Sequence, residues 1–218
     1  MIQKTATLIG STGLIGSHVI DLLQKDSEFS SIHVLVRRSI EFNNPKIKVK
    51  VVDFSDPESY KAEITESNVV FCAVGTTTKK VKGDKQKYKE IDFDIPVNTA
   101  KLCKEVGCPK FIVVSSHGAN SKSTNFYLKL KGEVEDTLSS LNIQSLLIFR
   151  PSLLTGKRKE FRLGERIMKL LLKPISFLFP KNLKPIDASD VAKAMVEASK
   201  LDAKGTIVYN YQEMMKFK

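Results

Sequence analysis

The chain has 218 residues, of which 42% are hydrophobic and 27% are charged, and these proportions are typical of a globular domain. This composition excludes a disordered chain, and no apolar run approaches the roughly 20 residues that a membrane-spanning helix needs. The 35 basic and 24 acidic residues give a net charge of +11, which attracts anionic partners in general. The charge alone names no partner, because a lysine-rich chain can carry it without one.

The number and spacing of the cysteines indicate the cellular compartment of the protein. Cys72, Cys103 and Cys108 are odd in number and form no C-x-x-C pair, which disfavours a disulfide framework and a zinc site. Free thiols are typical of a reducing environment. The first nine residues are too short and too polar for a signal peptide. The sequence therefore predicts a cytoplasmic location and no bound metal.

Strand-like and helix-like apolar patterns alternate along the chain. The predicted strands are 6–9, 32–36, 48–52, 68–73, 111–114, 145–149 and 206–209. The predicted helices are 14–24, 94–106, 126–141 and 187–200. Strands that are apolar on both faces and alternate with helices predict an α/β fold with a doubly wound parallel sheet, the Rossmann arrangement.

A glycine-rich turn follows the first predicted strand and opens the first predicted helix. Its residues are Gly10, Ser11, Thr12, Gly13, Leu14, Ile15 and Gly16. Glycines at this spacing let the backbone turn tightly and approach a pyrophosphate closely. The helix start adds N–H groups without partners and the positive end of the helix dipole. The turn therefore predicts a bound nicotinamide dinucleotide.

Two arginines, Arg37 and Arg38, follow the second predicted strand about 20 residues beyond the glycine turn. At this point an acid binds the ribose 2′-hydroxyl of NAD, whereas arginine accommodates the 2′-phosphate of NADP. No acid ends this strand, and a guanidinium group can give a phosphate two hydrogen bonds. The pair predicts NADP(H) rather than NAD, and the alternative is a solvated basic loop.

The ends of the third and fourth predicted strands extend the cofactor site. Asp53 and Phe54 follow the third strand, where an acid and a ring can meet the edge and the face of adenine. The fourth strand ends in a stretch whose glycine lets the backbone lie along a ligand: Ala73, Val74, Gly75 and Thr76. Either strand end could instead be a plain turn.

Two serines and a tyrosine–lysine pair follow the fifth predicted strand. Tyr127 and Lys131 are four residues apart on a predicted helix, so they share one face. An ammonium group beside a phenol favours the phenolate, and the pair can therefore protonate a carbonyl oxygen or deprotonate an alcohol. A serine hydroxyl at the strand end can hold the substrate oxygen, and the sequence leaves Ser115 and Ser116 both open for that role.

Two segments break the regular pattern. The run 78–89 holds six lysines and is predicted to be a mobile solvated loop, the alternative being a gate for an anionic substrate or cofactor. The region 152–186 is first basic and then apolar, with three prolines at 174, 180 and 185. We predict a single NAD(P)-binding Rossmann domain over 1–218, with 152–186 as a small insertion on the substrate side.

The motifs resemble the short-chain dehydrogenase/reductase superfamily in its extended or atypical branch. The glycine turn, the Y-x-x-x-K pair and the F-R-P that follows the sixth strand carry this likeness. A narrower similarity to the Tat-interacting oxidoreductase-like group, related to NmrA-like NAD(P)-binding proteins, rests on four stretches: F-C-A-V-G-T-T at 71–77, S-S-H-G-A-N at 115–120, Y-L-K-L-K-G-E-V-E at 127–135 and the same F-R-P at 149–151. The resemblance covers nearly the whole chain.

The resemblance implies an NADP(H)-dependent oxidoreductase that reduces the carbonyl group of an unidentified small molecule by hydride transfer. It implies that Tyr127 is the proton donor and that Lys131 binds the nicotinamide ribose and tunes the phenol. Ser116 is then the serine that orients the substrate, with Ser115 as the alternative. Three further residues are expected near the nicotinamide: Arg150, Pro151 and Leu153.

A different class of function is also consistent with the sequence. The chain could sense NADP(H), catalyse little and act through a protein partner. A nucleic-acid partner is disfavoured, because helix-turn-helix and zinc motifs are missing and tryptophan is absent. We expect no integral membrane association, and the sequence leaves open whether the chain forms a homodimer.

Overall fold

The computed structural model describes residues 3–156 and 184–218. In these residues seven parallel strands form the main sheet. They are β1 (Lys4–Ile9), β2 (Phe29–Val36), β3 (Ile47–Val51), β4 (Val69–Cys72), β5 (Lys110–Val114), β6 (Ser145–Phe149) and β9 (Gly205–Tyr209). Two short strands, β7 (Leu154–Thr155) and β8 (Ile186–Asp187), form a separate parallel pair.

The strand order places a crevice beside β1. The order in the sheet is β3-β2-β1-β4-β5-β6-β9, so the chain winds outwards from β1 in one direction and then from β4 in the other. Leu8 of β1 pairs with Val34 of β2 on one side and with Phe71 of β4 on the other. In such sheets ligands bind at the carboxyl ends of the strands, where the winding reverses. The doubly wound parallel sheet predicted from the sequence is confirmed.

The helices cover both faces of this sheet. They are α1 (Leu14–Leu23), α2 (Lys61–Thr65), α3 (Lys85–Lys89), α4 (Ile95–Val106), α5 (Phe126–Ser140), α6 (Ala188–Lys200) and α7 (Tyr211–Met214). Two 3₁₀ turns, Pro57–Tyr60 and Met215–Phe217, and a π-helical turn, Glu90–Asp94, complete the described elements. α1 and α6 pack together on one face, and α4 packs with α2 and α5 on the other.

Burial on both faces of the sheet explains why the strands are continuous apolar runs in the sequence. All four residues of β4 are buried. Val69 and Phe71 join the core under α1 and α6, whereas Val70 and Cys72 join the core on the opposite face. Since successive side chains of a strand point to opposite faces, both positions must be apolar when helices cover both sides.

The structure corrects the prediction of a mobile loop at 78–89. Residues Lys85–Lys89 are helical, and the carboxylate of Asp84 caps this helix by accepting the backbone N–H groups of Gln86 and Lys87. The π-helical turn then leads directly into α4, so helical structure begins nine residues before the predicted start at 94. The sequence pattern failed here because exposed lysines hide a helix that contributes few apolar residues.

The predicted insertion at 152–186 has ends that meet. Leu154 pairs with Ile186, and Thr155 pairs with Asp187, in the β7–β8 ladder. The remainder of the predicted insertion, 157–183, lies outside the described residues. The ladder nevertheless fixes both ends of that segment at the carboxyl edge of β6 and at the start of α6.

Candidate functional site

The glycine turn joins β1 to α1 at the carboxyl edge of the sheet. Gly10 has a φ of +90°, and a Cβ atom at this position would lie 2.7 Å from the carbonyl carbon of Ala73. A Cβ atom on Gly16 would lie 2.1 Å from the carbonyl oxygen of Gly10. Since real Cβ contacts are not this short, the two glycines are what allows the turn, α1 and the end of β4 to pack together.

The polar groups of this turn fit a bound pyrophosphate. Ser11 is 4% exposed, and its Oγ has no hydrogen-bond partner among the described residues. α1 follows Gly13 without a side-chain cap and without an acid in its first turn. Buried donors and uncapped helix N–H groups need acceptors, which an anionic pyrophosphate would supply. The residues present therefore fit the dinucleotide that the sequence predicts.

The predicted adenosine contacts follow β2 and β3 at the same edge. Arg37 and Arg38 are exposed immediately after β2. Asp53 is also exposed, and hydrogen bonds from the Ser55 hydroxyl and amide hold the pKa of its carboxyl below the usual value. Phe54 is 8% exposed and packs in the core, so of the two residues predicted to meet adenine, Asp53 presents the exposed side chain.

A buried ion pair connects α5 to the end of β4. Lys131 is 5% exposed, and its Nζ lies 3.0 Å from Oδ1 of Asp92 in the π-helical turn. The other carboxylate oxygen of Asp92 accepts the backbone N–H of Thr76 at 2.7 Å. Burial lowers the pKa of Lys131, but the charges of Asp92 and Tyr127 raise it, and the net pKa lies above the usual value. The ammonium group therefore stays protonated in the core.

Tyr127 lies one helical turn before Lys131, at the exposed start of α5. Its side chain is 37% exposed, and that of the neighbouring Phe126 is 39% exposed. Asn125 caps the helix, and its Oδ1 accepts the N–H of Leu128 at 3.1 Å. The cap fixes where the helix begins, and the first turn of the helix carries the partly exposed phenol.

The two candidate serines have different surroundings. Ser115 is 5% exposed, and its hydroxyl donates to a carboxylate oxygen of Glu135. Ser116 is half-buried, and its hydroxyl donates to the carbonyl of His117 at 3.3 Å, a long contact. The hydroxyl of Ser115 is thus engaged by a carboxylate in the core, whereas the described hydrogen bond of the Ser116 hydroxyl is long and local.

Glu135 holds the ends of β5 and β6 against α5. Its carboxylate accepts hydrogen bonds from Ser115 and from the guanidinium of Arg150, whose Nε lies 3.0 Å from both carboxylate oxygens. Hydrogen bonding to Glu135 raises the pKa of Arg150. Tyr127, Lys131 and Glu135 recur at every fourth residue and so lie along one face of α5. Arg150, predicted near the nicotinamide, is bound to Glu135.

We expect Glu135→Gln to lower the free energy of unfolding by about 1–3 kcal/mol, because charge-assisted hydrogen bonds to Arg150 and Ser115 are lost. Urea unfolding followed by circular dichroism measures the loss. Glu133→Gln is the matched control on the same helix, since Glu133 contacts only a distant ammonium at 3.9 Å among its described ion pairs. The control should change stability by no more than about 0.5 kcal/mol, and equal effects in both variants would contradict the prediction.

The loop between β5 and α5 lies directly on the helix. A Cβ atom on Gly132 would lie 2.1 Å from the backbone nitrogen of Ser121. This contact explains the glycine in the K-G-E-V-E stretch, because any side chain would push the loop away. The N–H of His117 donates to the carbonyl of Pro151 at 2.9 Å and ties this loop to the end of β6. Pro151 is buried and Leu153 is half-buried at that end.

Two functional candidates, Asp92 and Glu135, escaped the sequence reasoning. Asp92 lies in a stretch that also contains Glu90 and Asp94, and the sequence does not show which of these acids is buried. Glu135 follows Lys131 at helical spacing, but Glu133 and Asp136 lie beside it in the sequence. The partners that distinguish the two buried acids come from other parts of the chain.

Two features are missing from the part of the chain that is described. Residues 3–156 and 184–218 contain no group of three or more histidine, cysteine, aspartate or glutamate side chains that could hold a metal ion. Within the same ranges, no helix has both the length and the apolar character that crossing a bilayer requires.

Comparisons with known proteins agree with this geometry. A family model described as NAD(P)H-binding matches residues 10–202. The mitochondrial protein FMP52 of Candida albicans is 35% identical over 206 residues, which is 92% of this chain and 90% of the relative. Protein HTATIP2 of Rattus norvegicus is 32% identical over 168 residues, covering 76% of this chain and 69% of the relative.

Solved structures share the fold. The UDP-N-acetylglucosamine 4-epimerase of Methanobrevibacter ruminantium has a TM-score of 0.73 at 18% identity, over 96% of this chain and 77% of that one. The ADP-L-glycero-D-manno-heptose-6-epimerase of Helicobacter pylori has a TM-score of 0.71 at 17% identity, over 98% and 81%. At these identities the likeness shows the architecture alone.

The predicted cytoplasmic location is wrong. Relatives from Candida albicans, Lodderomyces elongisporus, Meyerozyma guilliermondii and Coccidioides immitis are all named as mitochondrial proteins. Free thiols indicate reducing surroundings but do not distinguish one reducing compartment from another, so the cysteine pattern could not support the narrower statement.

Proposed function

Because the chain belongs to the family of NAD(P)H-binding proteins, we propose that it is an NADP(H)-dependent oxidoreductase that reduces a carbonyl group. The family match and the relative HTATIP2 bear out the resemblance to atypical short-chain, NmrA-like proteins. One observation carries the proposal: the Lys131–Asp92–Thr76 connection joins the helix of Tyr127 to the strand end that packs on the glycine turn.

Different residues of the chain bind the cofactor and transfer the proton. The uncapped start of α1 and the Ser11 hydroxyl hold the pyrophosphate. NADPH held there would supply the hydride for the carbonyl carbon. Tyr127 donates its phenolic proton to the carbonyl oxygen, and the ammonium group of Lys131 stabilises the phenolate left behind.

Ser116 is the better candidate for holding the substrate oxygen. Its hydroxyl makes a long hydrogen bond to the carbonyl of His117, whereas that of Ser115 is engaged with Glu135. A donor at this position stabilises the negative charge that develops on the oxygen before the proton arrives. Ser115, Glu135 and Arg150 are positioning residues, because they fix the strand ends and the helix that present the reacting groups.

The preference for NADP(H) rests on Arg37 and Arg38. We expect Arg37→Ala/Arg38→Ala to weaken NADPH binding by about 10- to 100-fold, because charge-assisted hydrogen bonds to the 2′-phosphate are lost. Binding of NADH, which lacks that phosphate, should change little. Fluorescence titration of the wild type and of the variant with both nucleotides measures the two affinities.

Lys25→Ala/Lys204→Ala is the control for this titration. It removes the same charge from exposed positions at the opposite edge of the sheet, near the starts of β2 and β9. If the control variant loses as much affinity for NADPH, the effect of the two arginines is a general attraction of anions rather than recognition of the 2′-phosphate. Equal affinity of the wild type for NADPH and NADH would overturn the NADP(H) preference, and failure to bind either would overturn the proposed function.

The names of the fungal relatives support a mitochondrial location for this protein. Subcellular fractionation with an antibody against the chain, compared with marker proteins of mitochondria and cytosol, tests the location directly.

A further inference from the structure

The run 79–89, which we call the lysine rim, carries a charge that the proposed reaction does not use. Its six lysines are exposed, and the single acid of the run is Asp84. The carboxylate of Asp84 caps α3 and lies 3.8 Å from Nζ of Lys87. The lysine rim therefore presents a surface with a high density of positive charge.

The lysine rim packs against α5, the helix that carries Tyr127. Val81 and Tyr88 are buried together with Leu130 of α5 in a small apolar cluster. The Tyr88 hydroxyl donates to the carbonyl of Thr76 at 3.4 Å, which ties the rim to the end of β4 as well. Two contacts on different elements therefore fix the rim against α5 and the end of β4.

Lys85 brings the charge of the rim to the first turn of α5. Its Nζ lies 5.6 Å from the ring centroid of Phe126, and the Tyr88 ring meets the same ring edge-on at a centroid distance of 5.5 Å. Phe126 directly precedes Tyr127, and both side chains are more than a third exposed. The rim therefore lies against the first turn of α5, the turn that carries Tyr127.

A clustered cationic surface at the mouth of a crevice attracts and orients anions. A carboxylate or a phosphate on the substrate would meet the rim while its carbonyl group lies at Tyr127. The lysine rim differs from other exposed lysines in its position. Lys25, Lys101 and Lys204, for example, are distant from the carboxyl edge of the sheet.

We propose that the lysine rim binds an anionic group of the substrate, so that the protein selects carbonyl compounds that carry a carboxylate or a phosphate. The proposal rests on the proposed carbonyl reduction and names its substrate class. Equilibrium binding therefore tests it separately from turnover.

The experiment uses three aromatic aldehydes of similar shape: 4-formylbenzoate, 4-formylphenyl phosphate and the neutral methyl 4-formylbenzoate. Calorimetric titration into the full chain saturated with NADP⁺ gives the affinity of each. We expect the anionic probes to bind about tenfold more tightly than the ester at low salt, and the difference to shrink as salt screens it. The carboxylate and phosphate probes together identify which anion is preferred.

Lys79→Gln/Lys82→Gln/Lys85→Gln should bring the affinities of the anionic probes down to that of the ester. The matched control, Lys25→Gln/Lys101→Gln/Lys204→Gln, removes the same net charge elsewhere and should keep the difference. Circular dichroism of both variants confirms that they are folded.

Three results would overturn the rim as a substrate site: equal binding of all three probes by the wild type, absence of binding by the anionic probes, or an unchanged difference in the rim variant. Sedimentation with vesicles containing 30% phosphatidylserine is the competing assay. Capture of the wild type by these vesicles, without tighter binding of the anionic probes, would assign the rim to a membrane surface instead. Tight anion binding without reduction of any probe would instead count against the proposed reaction.

Discussion

Tyr127→Phe should lower kcat for carbonyl reduction by about 10²- to 10⁴-fold, the usual contribution of a positioned proton donor. The substitution removes one hydroxyl from a side chain that is 37% exposed, so we expect the fold to be unchanged. The affinity for NADPH should stay within twofold of the wild type, because the glycine turn and the arginines are untouched. A large loss of turnover with unchanged NADPH binding is the result expected when a proton donor is removed.

Two measurements check this result: steady-state reduction of an aldehyde followed by loss of NADPH absorbance, and the fluorescence titration with NADPH. Tyr211→Phe, a half-buried tyrosine at the start of α7, is the matched control and should keep full activity. If Tyr127→Phe reduces the aldehyde as fast as the wild type, another group donates the proton. If the wild type binds NADPH but reduces no carbonyl compound, the protein is a cofactor sensor.

Lys131→Met should lower the free energy of unfolding by about 3–5 kcal/mol, the range for breaking a buried ion pair from one side. The carboxylate of Asp92 is 1% exposed and would lose its counter-ion at 3.0 Å. Methionine matches the length of the lysine stem, so the effect comes from the unpaired charge rather than from a cavity. Urea unfolding at pH 7 measures the difference.

The double variant Lys131→Met/Asp92→Asn separates charge from packing. The amide of asparagine can keep one contact to the backbone of Thr76 without a buried charge, so the double variant should recover a large part of the lost stability. Additive losses in the two single variants would mean that Lys131 and Asp92 act independently, which would contradict the ion pair.

The same pair sets a pH dependence. The pKa of Lys131 in the folded chain lies above its usual value of 10.5, so the unfolded chain loses this proton first as the pH rises. The stabilisation by Lys131 is complete below about pH 10 and disappears as the pH passes the folded-state pKa. The stability difference between the wild type and Lys131→Met should therefore be constant from pH 7 to pH 9.

The architecture could be predicted from the sequence because its signal is local. Each strand of the sheet is a short run buried on both faces, and the glycine turn marks the first strand-to-helix junction. Helix α3 was missed for the opposite reason. Of its five residues only Tyr88 is buried, so the pattern of exposed lysines resembled a loop.

The candidate site was predictable only where it lies in one stretch of chain. Tyr127 and Lys131 are recognisable together because helical spacing makes them neighbours. Asp92 and Glu135 each lie among other acids in the sequence, and their partners Lys131 and Arg150 become neighbours only when the sheet assembles. The residues alone left Ser115 and Ser116 both open, and the resemblance favoured Ser116. The contact that distinguishes them, from Ser115 to Glu135 of α5, forms only in the folded chain.

The π-helical turn Glu90–Asp94 places a constraint on chain length. A π turn holds one residue more than an α-helical turn, and each residue of an α-helix advances the chain by about 100°. Deleting a single residue here would restore a regular helix and rotate the lysine-bearing part relative to α4 by that angle. Asp92 would then leave Lys131, whatever side chains remained. Substitutions in this turn are therefore easier to accommodate during evolution than insertions or deletions, because the number of residues itself positions the buried carboxylate.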